Sequence, residues 1–519
     1  MKQPIRFLGT AALLFLGTNV SLAQQPPQAA PEKAAEKPKE EKKPPAPEEK
    51  IVQTKHSLKI AGQEIKYTAT AGTILLKLED GTPKASIFYV AYTKDDVSDA
   101  SQRPLTFSFN GGPGSASVWL HLGMFGPRRV QMGDAGALLP PPYKLVDNDV
   151  SLLDISDLVF IDPVSTGYSR AVPGEAPKQF HGVTEDVESV ADFIRLYATR
   201  NKRWSSPKFL AGESYGTTRA AVLSGYLQQR YGMYLNGIVL ISSILNFETA
   251  EFDTGNDLPY ILYLPTYTAI AWYHKKLSAD LQSDLQKAIE ESRKFAVGEY
   301  ADALMAGDAL PAPRRSEITQ KLARLTGLSP DYIDRTNLRI EIQRFTKELL
   351  RSQRRTIGRI DARFTGIDRD AAGEHPEFDP SIAAIIGPYS GMLNDYVRND
   401  LKFDSDLPYE VLTSRVRPWK YAPYENRYVD VAETLRGAMT QNPFLHVFVA
   451  KGYYDLATPF FAADYTFDHL GLDATLRDHL SGAYYEAGHM MYVHPPSLAK
   501  LKSDIALFIK SSATANPAK

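Results

Sequence analysis

The chain has 519 residues, which leaves room for two or three folded units and excludes a single small module. Its 59 lysines and arginines stand against 61 aspartates and glutamates, so the formal charge is −2 and the basic excess expected of a nucleic-acid-binding protein is missing. Hydrophobic (43%) and aromatic (11%) residues can fill a large core, and the absence of cysteine excludes disulfides, thiolate metal sites and a thiol nucleophile.

Residues 1–23 have the pattern of a secretory signal. Lys2 and Arg6 precede an apolar run over residues 7–17, and small residues follow up to a predicted cleavage site after Ala23. The run is much shorter than the ~20 residues of a spanning helix, which favours a signal over a membrane anchor. We therefore expect an exported protein, periplasmic or extracellular, with no membrane span in the mature chain.

Residues 24–50 are predicted to form a disordered tether. This stretch is rich in proline, lysine and glutamate and contains no aromatic or β-branched residue. Such a composition cannot bury enough apolar surface to offset the entropy lost on ordering. Foldable sequence is expected to begin at Ile51.

Two kinds of strand pattern follow the tether. Short β-rich runs with glycine turns over residues 51–91 predict antiparallel strands. Residues 105–109, 158–161, 209–211 and 238–241 are short apolar runs separated by longer segments with helical patterns. Buried runs that alternate with helices predict a largely parallel sheet covered by helices on both faces.

The alternation stops near residue 247, where helical signals take over until about residue 415. A β run then resumes at residues 446–450. The simplest organisation is an α/β catalytic domain formed by residues 51–246 and 416–519, interrupted by a mostly helical insertion, a lid, over residues 247–415.

The most specific motif is Gly-Glu-Ser-Tyr-Gly at residues 212–216, between the run at 209–211 and a helical pattern. In a G-x-S-x-G between strand and helix, small residues permit a turn so tight that the serine hydroxyl projects from the sheet. Five residues alone could equally be an ordinary glycine-flanked turn. The strand and helix on either side favour Ser214 as a nucleophile.

A serine hydroxyl needs a base to take its proton and an acid to orient that base. On this type of sheet the acid and then the histidine follow the serine, beyond late strands. Asp455 comes just after the run at 446–450, and His489 follows Gly488 further along the chain. Asp464 and Asp468 are alternatives for the acid, but both fall inside a predicted helix.

An oxyanion formed on acyl transfer needs two backbone N–H donors. One usually comes from the residue after the serine and the other from a glycine-rich loop after an earlier strand. Tyr215 and Gly112, the latter in the Asn-Gly-Gly-Pro-Gly loop at residues 110–114, fit these two positions. The alternative is a tight turn that binds nothing.

Four ordered blocks resemble the serine carboxypeptidases: Asn-Gly-Gly-Pro-Gly-Ser at 110–115, Phe-Ile-Asp-Pro-Val-Ser-Thr-Gly-Tyr-Ser at 160–169, Gly-Glu-Ser-Tyr-Gly at 212–216 and Gly-His-Met at 488–490. The resemblance covers the greater part of the chain. It implies an α/β-hydrolase fold with a helical lid and the release of C-terminal residues from peptides through an acyl-enzyme. It also implies a triad of Ser214, Asp455 and His489, with Gly112 and Tyr215 as the oxyanion hole.

The resemblance further implies that Asn110, Gly111 and Glu213 hold the terminal carboxylate of the substrate. Family members commonly add a second glutamate at the position of Met124, and the two acids share a proton. With Glu213 alone, we expect a weaker preference for acid pH. Arg128 or Arg129 could bind the carboxylate instead, or both could belong to a solvated loop.

An aromatic-rich stretch at the start of the insertion has two interpretations. Its side chains could line a substrate pocket, but packing inside the lid is the more common role. The residues are Tyr260, Tyr263, Tyr267, Trp272 and Tyr273.

Three other functions stay open from the sequence. The same triad could serve an esterase or an acyltransferase, or the scaffold could be a non-catalytic binding module. No cofactor and no metal are predicted, since His494 misses the i,i+4 spacing of helical metal ligands from His489. The expected partner is a peptide with a free C-terminus.

Overall fold

The computed structural model describes residues 47–133 and 137–513. The predicted signal (1–23) and the predicted tether up to residue 46 lie outside the described residues. Two residues at the end of that tether contact the folded part of the chain. Glu49 accepts a hydrogen bond from the backbone N–H of Leu75 (2.8 Å), and Lys50 Nζ donates to the carbonyl of Asp404 (2.6 Å).

The described residues contain fourteen strands. In chain order they are β1 (Ile51–Ile60), β2 (Gln63–Lys77), β3 (Pro83–Lys94), β4 (Leu105–Phe109), β5 (Arg128–Val130), β6 (Leu145–Asp147), β7 (Asp157–Ile161), β8 (Arg170–Ala171), β9 (Lys208–Ser214), β10 (Gly237–Ser243), β11 (Thr356–Ile357), β12 (Thr365–Gly366), β13 (His446–Gly452) and β14 (Leu480–Tyr485).

One large sheet organises the protein, with strand order β1-β2-β3-β7-β4-β9-β10-β13-β14. Pairing is antiparallel from β1 to β7 and parallel from β7 to β14. The parallel strands β4 and β7 are buried at every position, as expected of strands covered on both faces. The carboxyl ends of the parallel strands therefore meet at one edge of the sheet.

The described residues also contain fourteen α-helical segments. They are α1 (Val118–Leu120), α2 (Val183–Arg200), α3 (Tyr215–Tyr231), α4 (Leu258–Tyr273), α5 (Ala279–Gln282), α6 (Leu285–Phe295), α7 (Ala301–Ala306), α8 (Ala312–Thr326), α9 (Pro330–Arg335), α10 (Ile342–Glu348), α11 (Pro380–Asn399), α12 (Ala432–Gln441), α13 (Phe460–Asp468) and α14 (Pro495–Ala513).

Alternate strand residues belong to two different cores. On β10, Val239 and Ile241 pack into a cluster with α11 and α14, whereas Ile238 and Leu240 pack into a second cluster with α2, α3 and α12. Because successive side chains of a strand point to opposite faces, these clusters cover the two sides of the sheet. The predicted parallel sheet with helices on both faces is confirmed.

Residues 244–445 connect β10 to β13 and carry helices α4 to α12. Helices α4, α6 and α8 share a third core, which also includes Tyr454 and Phe460 from the chain after β13. Helix α11 instead packs into the first core beside the sheet, although it lies inside the predicted insertion at 247–415. The division into catalytic domain and lid stays a prediction.

Among the helices of the described residues, none combines the length and apolar character needed to cross a bilayer.

Truncation of Phe107 on β4 tests the core beside α2. Its side chain is fully buried and packs edge-to-face against Tyr197 (5.8 Å between ring centroids). We expect Phe107→Ala to lower the free energy of unfolding by about 3–5 kcal/mol, measured by urea denaturation. Phe444 is 56% exposed, so Phe444→Ala is the matched control, with an expected change within about 0.5 kcal/mol. Equal losses in the two variants would contradict this placement of Phe107.

Candidate active site

Ser214 lies in a tight turn where β9 ends and α3 begins. Its backbone has φ 59° and ψ −132°, a conformation that side-chain-bearing residues rarely adopt. The two flanking glycines make this turn possible. A methyl group on Gly212 would lie 2.2 Å from the carbonyl oxygen of Gly216, and one on Gly216 would lie 2.9 Å from that of Phe109. The tight turn between these glycines therefore places the Ser214 hydroxyl at the edge of the sheet where the carboxyl ends of the parallel strands meet.

Asp455 and His489 lie in the loops that follow the neighbouring parallel strands β13 and β14. His489 Nδ1 and Asp455 Oδ2 are 2.7 Å apart. The other carboxylate oxygen, Oδ1, accepts hydrogen bonds from the backbone N–H groups of Ala457 (2.8 Å) and Thr458 (3.0 Å). The carboxylate is thus fixed by the backbone and points one oxygen at the imidazole.

Thr458 is a functional candidate that the sequence analysis missed. Its hydroxyl donates to Asp455 Oδ2 (2.7 Å) and lies 3.3 Å from His489 Nδ1. In the sequence, Thr458 stands three residues after Asp455, a spacing typical of a side chain that closes an Asx-type turn. That pattern is common in loops, so it did not single out this residue.

The charge of His489 is set by two opposing effects. Burial alone would lower its pKa, but the charge of Asp455 and the hydrogen bond to it outweigh burial, and the pKa is raised above the usual value. A raised pKa makes the imidazole a stronger proton acceptor. The arrangement suits a general base that takes a proton from a nearby hydroxyl.

A cavity of about 870 Å³ connects Ser214 with His489, and both line it. Asp455 is fully buried behind the imidazole and does not line the cavity. No hydrogen bond joins the Ser214 hydroxyl to His489 within the described residues. Contacts of this kind are often long without substrate and tighten when it binds.

The glycine-rich loop after β4 packs directly on the turn that carries Ser214. A methyl group on Gly111 would lie 2.4 Å from the backbone nitrogen of Tyr215, and Gly112 has φ 104°. Gly112 and Tyr215 both line the cavity. Neither of their N–H groups donates a hydrogen bond to another part of the described structure. Both donors are therefore available to an oxyanion formed in the cavity.

Asn110 and Glu213 lie side by side in the same cavity. Asn110 Nδ2 donates to Glu213 Oε1 (2.9 Å), and the hydroxyl of Tyr492 interacts with the same buried carboxyl. Desolvation raises the pKa of Glu213 to about 7, although the positive charge of His489 acts in the opposite direction. Below that pH the carboxyl is protonated and can donate a hydrogen bond from Oε2.

Met124, Arg128 and Arg129 do not line this cavity. Met124 is fully buried, and the two arginines belong to β5, where Arg128 contacts Asp147 on β6 (3.4 Å). Both side chains are partly buried, and their strand pairs with β6 in a separate two-stranded sheet. The structure therefore gives no support to binding of a carboxylate by Arg128 or Arg129 in this cavity.

Two other arginines, Arg359 and Arg417, line the cavity, a role that the sequence did not predict for either. Neither forms an ion pair within residues 47–133 and 137–513. Their positive charge favours an anionic group in the cavity. Both come from the chain between β10 and β13, whose path over the sheet edge could not be inferred from local patterns.

The rival acids and the aromatic stretch occupy other places. Asp464 lies on α13, where it accepts hydrogen bonds from Lys451 Nζ (2.5 Å) and the Tyr484 hydroxyl (2.8 Å). Tyr263 and Tyr267 on α4 are buried in the third core and do not line the cavity. Core packing therefore accounts for the two central tyrosines of the aromatic stretch.

Comparison with known proteins gives a consistent result. The sequence profile of one peptidase family, described as serine carboxypeptidase, matches residues 76–492. The pheromone-processing carboxypeptidase KEX1 of Saccharomyces cerevisiae (strain ATCC 204508 / S288c) is 33% identical over 156 residues, which are 28% of this chain and 20% of that protein. The chain thus aligns with about a fifth of the length of this relative.

A solved structure supports the fold. The crystal structure of KEX1(delta)p, a prohormone-processing carboxypeptidase from Saccharomyces cerevisiae, covers 86% of this chain and 91% of its own, with a TM-score of 0.54 and 17% sequence identity. At that identity the likeness concerns the fold. It agrees with the α/β-hydrolase architecture predicted from the sequence.

Loss of the Thr458 hydroxyl should weaken the hydrogen-bonded acid–base pair. We expect Thr458→Val to slow covalent labelling of Ser214 by a fluorophosphonate probe roughly tenfold, about 1.4 kcal/mol, since one hydrogen bond to a charged group is removed. Thr458→Ser keeps the hydroxyl and is the matched control, with an expected rate close to that of the parent. Equal labelling rates for the two variants would exclude the role given to this hydroxyl.

Proposed function

Because the chain belongs to the serine carboxypeptidase family, we propose that it removes residues from the carboxyl termini of peptides, with Ser214 as nucleophile. The observation that carries this proposal is the composition of one cavity. It contains a serine and a histidine suited to acyl transfer, together with Asn110 and Glu213, which suit a substrate carboxylate. A simple ester hydrolase needs the first pair and has no use for the second.

In the proposed reaction, Ser214 Oγ attacks the carbonyl carbon of the last peptide bond while His489 Nε2 takes the hydroxyl proton. Asp455 accepts the hydrogen bond from Nδ1–H and stabilises the imidazolium that forms. The carbonyl oxygen becomes an oxyanion and accepts hydrogen bonds from the N–H groups of Gly112 and Tyr215. Binding of the developing charge by these free donors lowers the barrier to attack.

The intermediate then collapses in two stages. The C–N bond breaks, His489 gives its proton to the leaving amine, and the C-terminal amino acid departs, which leaves an ester on Ser214. Water next attacks the ester as His489 accepts one of its protons. Return of that proton to Ser214 Oγ releases the shortened peptide with a new carboxylate.

Recognition of the terminal carboxylate is assigned to Asn110, Gly111 and Glu213. The protonated carboxyl of Glu213 donates a hydrogen bond to the substrate carboxylate, whereas an ionised carboxyl would repel it. In this chain one buried acid keeps its proton through desolvation, without a second acid at position 124. The guanidinium groups of Arg359 and Arg417, which form no ion pair within the described ranges, add a positive field to the same cavity.

We also propose that the protein acts after export, in the periplasm or outside the cell. This proposal rests on the cations, apolar run and small residues of positions 1–23. An esterase or an acyltransferase remains the second candidate, since the same acyl-enzyme would serve either.

The activity can be tested on a pool of synthetic peptides. We expect mass spectrometry to detect stepwise loss of C-terminal residues from free-acid peptides and much slower loss from the same peptides with amidated termini. Ser214→Ala should abolish both the cleavage and labelling by a fluorophosphonate probe. Cleavage at internal bonds, or hydrolysis of short-chain esters with no action on peptides, would contradict the proposal.

The raised pKa of Glu213 predicts how binding depends on pH. Ionisation above about pH 7 should raise KM for a blocked free-acid dipeptide by up to about tenfold per pH unit, because the charged carboxyl repels the substrate. Glu213→Gln stays uncharged at every pH and should flatten this rise. KM measured from about pH 5.5 to about pH 8.5 checks the prediction, with an amidated substrate as control. A flat KM in the parent protein would exclude the role of Glu213.

A further inference from the structure

The loops that carry Asp455 and His489 are both held by one stretch of the segment between β10 and β13. This stretch, residues 359–363, lies between the short strands β11 and β12. Outside the triad, it is the part of the described structure that contacts both catalytic loops through backbone and side-chain hydrogen bonds. It was not singled out by any sequence pattern.

Three backbone hydrogen bonds join this stretch to the two loops. The N–H of Leu456 donates to the carbonyl of Arg359 (3.0 Å), and the N–H of Ala362 donates to the carbonyl of Tyr454 (3.0 Å). These bonds flank Asp455 on both sides. The N–H of His489 itself donates to the carbonyl of Ile360 (2.8 Å).

A buried ion pair adds two further contacts to the histidine loop. The Arg363 guanidinium binds the Asp361 carboxylate through Nε (2.9 Å) and Nη2 (2.5 Å), and both side chains are almost completely buried. Asp361 Oδ2 also accepts from the N–H of Gly488 (3.2 Å), and Arg363 Nη1 donates to the carbonyl of Glu486 (3.1 Å). The ion pair therefore binds the backbone of Glu486 and Gly488, just before His489.

Gly488 shows how close this contact is. A methyl group at this position would lie 2.4 Å from the Asp361 side chain and 2.6 Å from its Cα. A side chain at 488 would force the histidine loop and Asp361 apart. The glycine before the histidine therefore serves the contact with Asp361.

We propose that Asp361 and Arg363 are positioning residues that fix His489 against Asp455, so that the helical connection is part of the catalytic frame. This inference rests on the proposed function, in which His489 is the base. The two loops share a direct backbone hydrogen bond near the site, from the N–H of Tyr454 to the carbonyl of Ala487 (3.0 Å), and residues 359–363 add contacts to both. An error of about 1 Å between reacting groups can cost about a hundredfold in rate. A buried bidentate ion pair has one favoured geometry and therefore sets the loop position closely.

The ionic form of the pair has a direct consequence for mutagenesis. Removal of one partner leaves a buried charge without compensation, which destabilises the fold whether or not the pair acts in catalysis. A single substitution would therefore not separate a loss of stability from a loss of positioning. The informative variant is the double substitution Asp361→Asn with Arg363→Gln, which buries no charge.

The matched control uses a second buried ion pair of the same connection. Lys347 binds Asp368, both side chains are almost completely buried, and neither contacts the loops of Asp455 or His489. The double substitution Lys347→Gln with Asp368→Asn therefore measures the loss of a buried pair away from the catalytic loops.

The experiment compares both double variants with the parent by thermal unfolding and by kcat and KM on a blocked free-acid dipeptide. We expect the 361/363 variant to lose about 10- to 100-fold in kcat with KM within about twofold of the parent. Fluorophosphonate labelling of Ser214 should slow in proportion. The 347/368 variant should keep kcat within about twofold of the parent.

A pH profile separates positioning from a general loss of stability. Asp455, Glu213 and Arg359 are the charged groups that act on His489, and Asp455 is the one that binds it directly. If the histidine loop becomes more mobile, Asp455 raises the pKa of His489 less than in the parent. The acid limb of the kcat/KM profile then moves to lower pH. The 347/368 variant should leave that limb in place.

Each outcome of this experiment either supports the inference or overturns it. Parent-like kcat in a folded 361/363 variant, or equal losses in the two double variants, would overturn the inference while leaving the proposed function intact. A parent protein without peptidase activity or probe labelling would refute the proposed function itself. If the 361/363 variant does not fold, Gly488→Ala replaces it, with the same expected loss of kcat and shift of the acid limb, and parent-like behaviour of that variant overturns the inference.

Discussion

The candidate site depends on one short contact, the 2.7 Å hydrogen bond between His489 and Asp455. Its partners lie in loops that follow β13 and β14, which are neighbours in the parallel sheet. Parallel strands end at the same edge, so the sheet brings the two loops together before any side chain interacts. The turn with Ser214 lies where β9 ends, and the glycine-rich loop with Gly112 follows β4. These two strands are also parallel neighbours, so their carboxyl ends meet at the same edge.

Burial and neighbouring charges shift the pKa values of two ionisable groups that line the cavity, Glu213 and His489. Desolvation raises the pKa of Glu213 to about 7, although Asn110 and Tyr492 hydrogen-bond its carboxyl. His489 is equally buried, but Asp455 reverses the effect of desolvation and favours the imidazolium. One cavity can therefore contain an acid that is protonated up to about pH 7 and a histidine that accepts protons readily. The difference comes from the charge of Asp455 beside the imidazole and from its hydrogen bond to it.

The sequence predicted those parts of the fold and the cavity that depend on local patterns. The turn at Ser214 is defined by five consecutive residues between a strand and a helix, and the order along the chain then pointed to Asp455 and His489. Residues whose roles depend on contacts between distant parts of the sequence were not predicted. Asp361 and Arg363 meet the histidine loop more than a hundred positions further along the chain, and no local pattern marks such a pairing. The same holds for Arg359, whose path to the cavity depends on how the connection crosses the sheet edge.

The residues in and beneath the cavity differ in how much sequence change they tolerate. Gly111, which lines the cavity, and Gly212 and Gly216, in the turn of Ser214, pack so closely that an added methyl group would meet backbone atoms. Arg359, Leu412 and Arg417 also line the cavity, and their side chains are exposed. Exchange of these exposed side chains can therefore alter the shape and charge of the cavity over evolution, while the turn that carries Ser214 stays the same.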